Sequence, residues 1–314
     1  MFSLMAICYL FLGGAGAGAV CVLAFLSLLV PRERIAASRL SVSGRRRRSV
    51  AYVPAVYRRF FAPGFAVSFM AVALGALLLV VDLGKSNRAV LLFELPTLSL
   101  VTFGSFAILT CLILTALLAV FWGLPSVHCR MGLLRVVSIL ALVAGISVAV
   151  YTGLLLSDMK AVPLWATPVL PLLFAVSSLS CGCAVVVGTA CFSGTLSVFG
   201  SVLRQVANAD AALLVLETAL LVAFFAAAFA HPYDVARMGA LELLTGVYAP
   251  LFLGGLGLIG IVLPFTFEVA STTFRHRWPS LVLVSSIGVL IGGFVLRYGI
   301  VLAGVHPSVY AVVL

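Results

Sequence analysis

Between residues 4 and 30 there is no charged side chain, and long apolar runs with at most two charged residues return seven more times before the C-terminus. About 20 apolar residues in a helix span the hydrocarbon core of a bilayer, and only helices or closed barrels satisfy their backbone there. The runs predict eight crossings, at 4–30, 63–82, 98–122, 133–157, 167–190, 210–230, 249–268 and 280–304. A barrel is excluded, because its strands alternate polar and apolar residues. Composition agrees about the solvent: 9% of the residues are charged and 64% hydrophobic, where a soluble domain has roughly 25% charged. The expected fold class is all-α, a polytopic membrane protein.

The net charge of +10 is unevenly spread. Nine of the 19 basic residues fall between Arg32 and Arg59, including the arginine run at 45–48. Loops that stay in the cytoplasm retain Lys and Arg, so this block marks the inner side and also suits anionic lipid headgroups. No Lys or Arg precedes the first run, which is too long for a cleaved signal peptide. The N-terminus is therefore expected outside. Arg130, Arg135, Arg204, Arg275 and Arg277 then also fall inside, making 14; Lys85, Arg88, Lys160 and Arg237 fall outside. Asp82, Glu94, Asp158, Asp234 and Glu242 lean outward, while Glu268 ends the seventh run inside. Eight crossings put both termini outside. A nucleic-acid partner is excluded, since there is neither a soluble module nor an aromatic platform.

Small residues cluster at Gly13 to Ala19 in the first run and at Ser180 to Ala184 in the fifth. Each leads four crossings, which predicts two four-helix bundles in tandem. The first covers residues 1–162 with a basic cytoplasmic loop at 31–62, and the second covers 163–314. Phe-Leu-Gly-Gly recurs at 11–14 and 252–255, which blurs that symmetry. Residues 192–208 read as a weakly polar inner connection or surface helix.

Several chemistries are absent. Cys181 and Cys183 form C-x-C, which is neither a zinc nor an iron–sulfur spacing, and no C-x-x-C-H occurs. His128, His231, His276 and His306 all lie outside the middle of the runs, so no facing pair is available for a membrane haem. The expectation is no haem, no iron–sulfur cluster and no metal in this protein. The cysteines read as small packing residues. The string from Gly14 to Gly18 follows no strand, which removes a dinucleotide loop.

A few polar groups remain in the spans, where they are costly and often functional. Tyr151 lies ~9 Å below the outer end of span four, with Tyr9 and Arg297 at comparable depth. Asp82 closes span two on that side. Two readings stand: belt tyrosines with a helix-end carboxylate, or hydrogen-bond donors and a proton acceptor for a quinone headgroup. Gly13, Gly14 and Gly16 serve either close helix packing or a flat ligand. Gly288 and Gly292 read as packing. Asp210 and Glu217, two turns apart on span six, read either as an inner proton path or as hydrogen-bonded structural acids. Rise per residue puts Arg297 and Glu217 ~15 Å apart in depth, leaving Glu242 or Asp158 as the expected partner of Arg297.

Five strings occur in an order that resembles the NrfD family, the polysulfide-reductase-type membrane subunits. They are Tyr9 through Ala19, Asp82-Leu-Gly, Tyr151 through Ser157, Pro171-Leu-Leu-Phe continuing through Ser178-Leu-Ser, and Leu296 through Gly304. Two departures are that Lys85-Ser replaces the usual Arg-Pro after Asp-Leu-Gly, and that 97–104 lacks the usual tryptophan. The resemblance implies a quinone-reactive subunit in the inner (cytoplasmic) membrane, using menaquinone or ubiquinone and no redox cofactor of its own. It implies docking, on the outer face, of a ferredoxin-like iron–sulfur subunit that serves a molybdopterin-type catalytic subunit. The expected docking loops are 83–97, 158–166 and 231–248. Tyr9 and Tyr151 match the positions of the family's quinone pocket, favouring them as quinone ligands with Asp82 as the proton exchanger and Arg297 tuning the site. Two other functions fit the residues: a secondary transporter with a site among glycine-interrupted spans, and a purely structural anchor.

Overall fold

The computed structural model of the protein describes residues 4–30, 36–38, 50–52, 55–82, 100–124, 131–232, 234–267 and 279–305. The arginine run at 45–48, Lys85, Arg88, Glu94, His128, Cys129, Glu268, His276, His306 and the docking loop 83–97 lie outside them. The described residues form nine helices: α1 Leu4–Leu29, α2 Ala55–Asp82, α3 Leu100–Gly123, α4 Met131–Ser157, α5 Val169–Phe192, α6 Gly200–Ala230, α7 Asp234–Leu244, α8 Ala249–Phe267 and α9 Pro279–Val305. All but α7 are long and apolar enough to cross a membrane. The protein is all-helical with eight membrane-spanning helices. A short antiparallel ribbon, β1 Ala36–Ser38 with β2 Val50–Tyr52, lies in the basic loop, a feature that the apolar runs do not signal.

Two boundaries differ from the expectation. Helix α2 starts at Ala55, not 63, and carries Pro63 inside it. Its early turns contain Arg58, whose Nη2 donates to the Gly123 carbonyl at 2.5 Å and caps the C-terminal end of α3. One member of the basic block thus stabilises a helix end, where a cation meets the negative pole of the dipole. Helix α6 starts at Gly200, not 210, so 192–208 holds no separate surface helix. A turn through Gly194 (φ +65°) and Thr195 joins α5 to α6 directly. Charged and amide residues such as Arg204, Gln205 and Asn208 look like loop, yet they continue a helix without strain.

Helices α1 and α5 occupy the centre. Two-thirds of the apolar window of each is buried, against about a quarter in α2, α3, α6 and α8. Lipid offers no hydrophobic drive for helix association, so close packing rests on small residues. The two small-residue runs found in the sequence meet each other: a Cβ on Gly182 would strike Gly18, and one on Gly18 would strike the backbone of Ser178. Helix α1 also packs on α2 and α4, α2 on α3, and α3 on α4. On the other side, α9 packs on both α5 and α8, while α6 leans mainly on α5.

Helix α8 winds as a π-helix over Phe252–Val262, with the Leu263 amide donating to the Leu258 carbonyl five residues back. Gly260 and Gly292 approach so closely that a Cβ on either would lie 2.5 Å from the other's Cα. A Cβ on Gly288 would lie 2.7 Å from the Ile259 carbonyl oxygen. Gly288 and Gly292 therefore serve packing, as the small-xxx-small spacing indicates.

The alternating crossings give two ends. The first face collects the start of α1, the end of α2, the α4–α5 connection and α7; the second collects the end of α1 and the α5–α6 turn. At the first face Trp165 lies against Gly304 and donates from Nε1 to the Ile300 carbonyl at 2.9 Å, fastening the α4–α5 connection to α9.

Candidate functional site

The predicted polar residues separate into two places on either side of α1. Tyr9 and Tyr151 come together. Both are buried (5% and 2% exposed) near the first face, and both line a cavity of about 10 Å³ with Gly13, Gly75, Val72, Ala76, Ile108, Val148 and Thr152. The walls come from α1, α2, α3 and α4. The Tyr151 ring lies flat against Gly104 of α3, where any Cβ would enter the ring. Gly104 thus makes room for a tyrosine, a role its place in a weakly matching string did not reveal. Gly75 lets α2 approach Gly13, with a built Cβ 2.9 Å from the Gly13 amide nitrogen.

Neither tyrosine hydroxyl has a hydrogen-bond partner among the described residues, whereas Thr152 Oγ1 donates to the Ala149 carbonyl at 2.8 Å. Two phenols lining one space are suited to a polar guest. Asp82, the exposed last residue of α2, is near enough to act electrostatically on Tyr9. The cavity as it stands admits about one water.

The glycines divide. Gly13 faces open space, since a Cβ there would meet nothing within 4 Å. Gly16 packs on α2, with a built Cβ 2.7 Å from Val72 Cγ2. Gly14 points the other way, toward Arg297 and Ser178, with a built Cβ 2.8 and 2.7 Å from their Nη2 and Oγ.

Arg297 does not line the tyrosine cavity. It is fully buried between α9, α5 and α1, with its guanidinium carbon 5.2 Å from the ring centre of Phe174 and 5.9 Å from that of Phe11. Nη2 donates to Ser178 Oγ (2.8 Å) and the Phe174 carbonyl (3.5 Å); Nη1 donates to the Gly293 carbonyl (2.8 Å) and Ser177 Oγ (3.4 Å). Nε has no partner among the described residues.

The expected partners of Arg297 are corrected. Glu242 accepts from the Val247 amide at 3.3 Å and closes the turn after α7, and Asp158 is exposed at the end of α4. Arg297 instead bonds to Ser177 and Ser178 of α5 and to backbone carbonyls, and Glu217 is buried on the neighbouring α6. The depth gap vanishes because α6 begins at Gly200 and not at 210: counted from the starts of α6 and α9, which run in the same direction, Glu217 and Arg297 lie at nearly the same depth. Asp210 joins the same region, accepting from Ser180 Oγ at 2.6 Å. Ser177 was not singled out from the sequence, and Ser178 and Ser180 were only part of a string; the structure makes all three the links between α5, α6 and α9.

Cys21, Cys111, Cys181 and Cys183 are buried and form no disulfide. Among the described residues no group of three or more His, Cys, Asp or Glu gathers to hold a metal.

Comparison with known proteins bears on these two places. The sequence profile of the family described as "Polysulphide reductase, NrfD" matches residues 1–307. The C subunit of polysulfide reductase from Wolinella succinogenes is 30% identical over 182 residues, which cover 57% of this protein and 57% of that one. The matched stretch is thus little more than half of that relative's length.

Proposed function

The chain belongs to the NrfD family, and from that premise we propose that it is the quinone-reactive membrane subunit of a respiratory oxidoreductase. The observation that carries this reading is that two buried tyrosines from different helices, Tyr9 and Tyr151, line one cavity, with Asp82 at the end of the helix α2 that walls it. Phenol donors of this kind fit the two carbonyls of menaquinone or ubiquinone, and Gly13 leaves the α1 wall open for a flat ring. The quinone, as substrate, brings two-electron redox chemistry. Tyr9 and Tyr151 bind and orient its oxygens, Val72 and Ile108 exclude water, and Asp82 passes the proton to or from the first face.

Electrons need a carrier, and the relative's name, the C subunit of a polysulfide reductase, implies further subunits in that protein. We assign the first face, with 83–97, 158–166 and 231–248, to docking of a ferredoxin-like iron–sulfur subunit in contact with a molybdopterin-type catalytic subunit. The basic loop puts the second face in the cytoplasm and the first face outside an inner membrane, with both termini outside. Two bundles, 1–162 and 163–314, divide the work: the tyrosine cavity in the first, and a proton route through Asp210 and Glu217 in the second.

Tyr151→Phe in the assembled complex is expected to lower quinol oxidation about tenfold, as loss of one transition-state hydrogen bond does, with artificial-dye activity intact. Unchanged quinol turnover removes Tyr151 from the mechanism. Quinone-analogue binding that survives changes at both tyrosines favours a purely structural anchor. Solute-dependent stabilisation without response to quinone analogues favours a transporter.

A further inference from the structure

A groove of about 670 Å³ opens at the second face, at the opposite end of the protein from the tyrosine cavity. Its walls include Leu26 and Val30 at the end of α1, Val56 and Phe60 at the start of α2, and Val202 near the start of α6. Helix α6 makes its close contacts with α5 and α7, so its first turns stand off from the α1–α2 pair. Phe199, at the N-cap of α6, bridges the gap: its ring lies 5.4 Å from that of Tyr57 at 67° and 4.6 Å from that of Phe60 at 33°. Leu29, Val56 and Val198 line the groove and are exposed, so it opens outward at the level of the helix ends.

The groove is not purely apolar. Tyr57, Ser201 and Gln205 also line it and supply hydroxyl and amide donors. An exposed arginine borders each of two walls. Arg59 is three residues from Val56 on α2, and Arg204 is three from Ser201 on α6, which makes each pair neighbours on its helix surface. Both helices begin at the second face, and long helical side chains lean toward the N-terminus, so both guanidinium groups are carried toward that face. Arg58 turns to α3 instead, donating to the Gly123 carbonyl. Among the described residues, the terminal two turns of the spanning helices at this face hold Arg58, Arg59, Arg135 and Arg204, and no Asp or Glu.

A basic rim, neutral donors and an apolar groove match the three parts of a phospholipid. We propose that the groove binds one anionic phospholipid, with its phosphate on Arg59 and Arg204, its ester carbonyls at Tyr57, Ser201 and Gln205, and an acyl chain along Leu26, Phe60 and Val202. Arginine forks suit phosphate oxygens, and the volume is that of a ligand pocket, roughly 300–1,000 Å³. A soluble phosphate would leave the apolar walls unused, whereas a lipid reaches them from the side on which Leu29, Val56 and Val198 are exposed. The bound lipid fills the space between α6 and the α1–α2 pair and holds the first turns of α6 in place. A ligand that binds only the folded form stabilises it. The site does not depend on the quinone reading.

The test is native mass spectrometry of the full-length protein, delipidated in detergent and titrated with phosphatidylglycerol or with phosphatidylcholine of the same chains. An arginine near the membrane surface favours an anionic lipid about fivefold, so the wild type is expected to retain one phosphatidylglycerol about 25-fold more tightly than phosphatidylcholine. Arg59→Gln and Arg204→Gln each lower phosphatidylglycerol retention about fivefold, and together they bring it to the level of phosphatidylcholine. The other arginines of the basic block are unchanged in that double variant, so binding to them alone would survive it. Val56→Trp fills the groove, keeps both arginines and lowers retention of both lipids. Phosphatidylglycerol raises the Tm of the wild type more than that of the double variant. Equal retention of the two lipids by the wild type, displacement of phosphatidylglycerol by inorganic phosphate, or unchanged retention in the double variant overturns the proposal. The first two outcomes need no variant to fold.

Discussion

Gly104→Ala perturbs the tyrosine cavity without replacing any residue that bonds to substrate. The new methyl would enter the Tyr151 ring at three of its atoms. Carbon atoms in contact rest about 3.5–4.0 Å apart, so the ring must retreat by more than about 1 Å or α3 must separate from α4. Overpacking of this kind costs about 1–3 kcal/mol, which the folded protein survives. Turnover responds as well, because the displaced hydroxyl no longer meets the reacting oxygen. Quinol oxidation by the reconstituted complex is expected to fall up to about tenfold, the loss expected for Tyr151→Phe, with dye activity and assembly retained. In a Tyr151→Phe background the same change is expected to add little, since both act through one hydroxyl and coupled neighbours are not additive. Full quinol turnover in Gly104→Ala, or additive losses in the double variant, refutes the placement of the Tyr151 hydroxyl at the reacting oxygen.

Gly13→Ala adds a methyl at a residue that lines the cavity, and it strikes nothing within 4 Å. It should leave thermal stability unchanged and raise the quinol KM several-fold, and an unaltered KM counts against ligand entry at Gly13. Gly18→Ala drives a methyl into the backbone of Ser178, which has no side chain to yield; a loss of about 3 kcal/mol should appear as a lowered Tm, and wild-type stability would mean that α1 and α5 do not meet there. Glu217→Gln is expected to abolish charge movement beyond quinone chemistry itself while sparing dye activity, and retained charge movement in proteoliposomes removes Glu217 from the route.

Much of the architecture could be read from one dimension. Uncharged apolar runs predict spanning helices because a bilayer forbids an unsatisfied backbone, and that demand acts on each run separately. Helix ends were less legible. Arg58 at the start of α2 and Arg204 at the start of α6 look like loop, but one caps α3 and both continue helices. The sequence by itself determined the solvent, the number of crossings, the asymmetry of charge, and which few polar residues must be explained. Only tertiary structure decided their company. The five residues from Gly14 to Gly18 look uniform, yet helical rotation turns Gly16 to α2, and Gly14 and Gly18 to α5. Tyr9 and Tyr151 are separated by most of the first half of the sequence and meet because Gly104 and Gly75 let four helices close around them. Arg297 and Glu217 stand apart by depth only if α6 starts at 210; its start at Gly200 brings them level, and Arg297 donates its hydrogen bonds to the serines of α5 and to carbonyls. Spacing along one helix sets height and direction; which side chains share a site depends on how several helices rotate and pack.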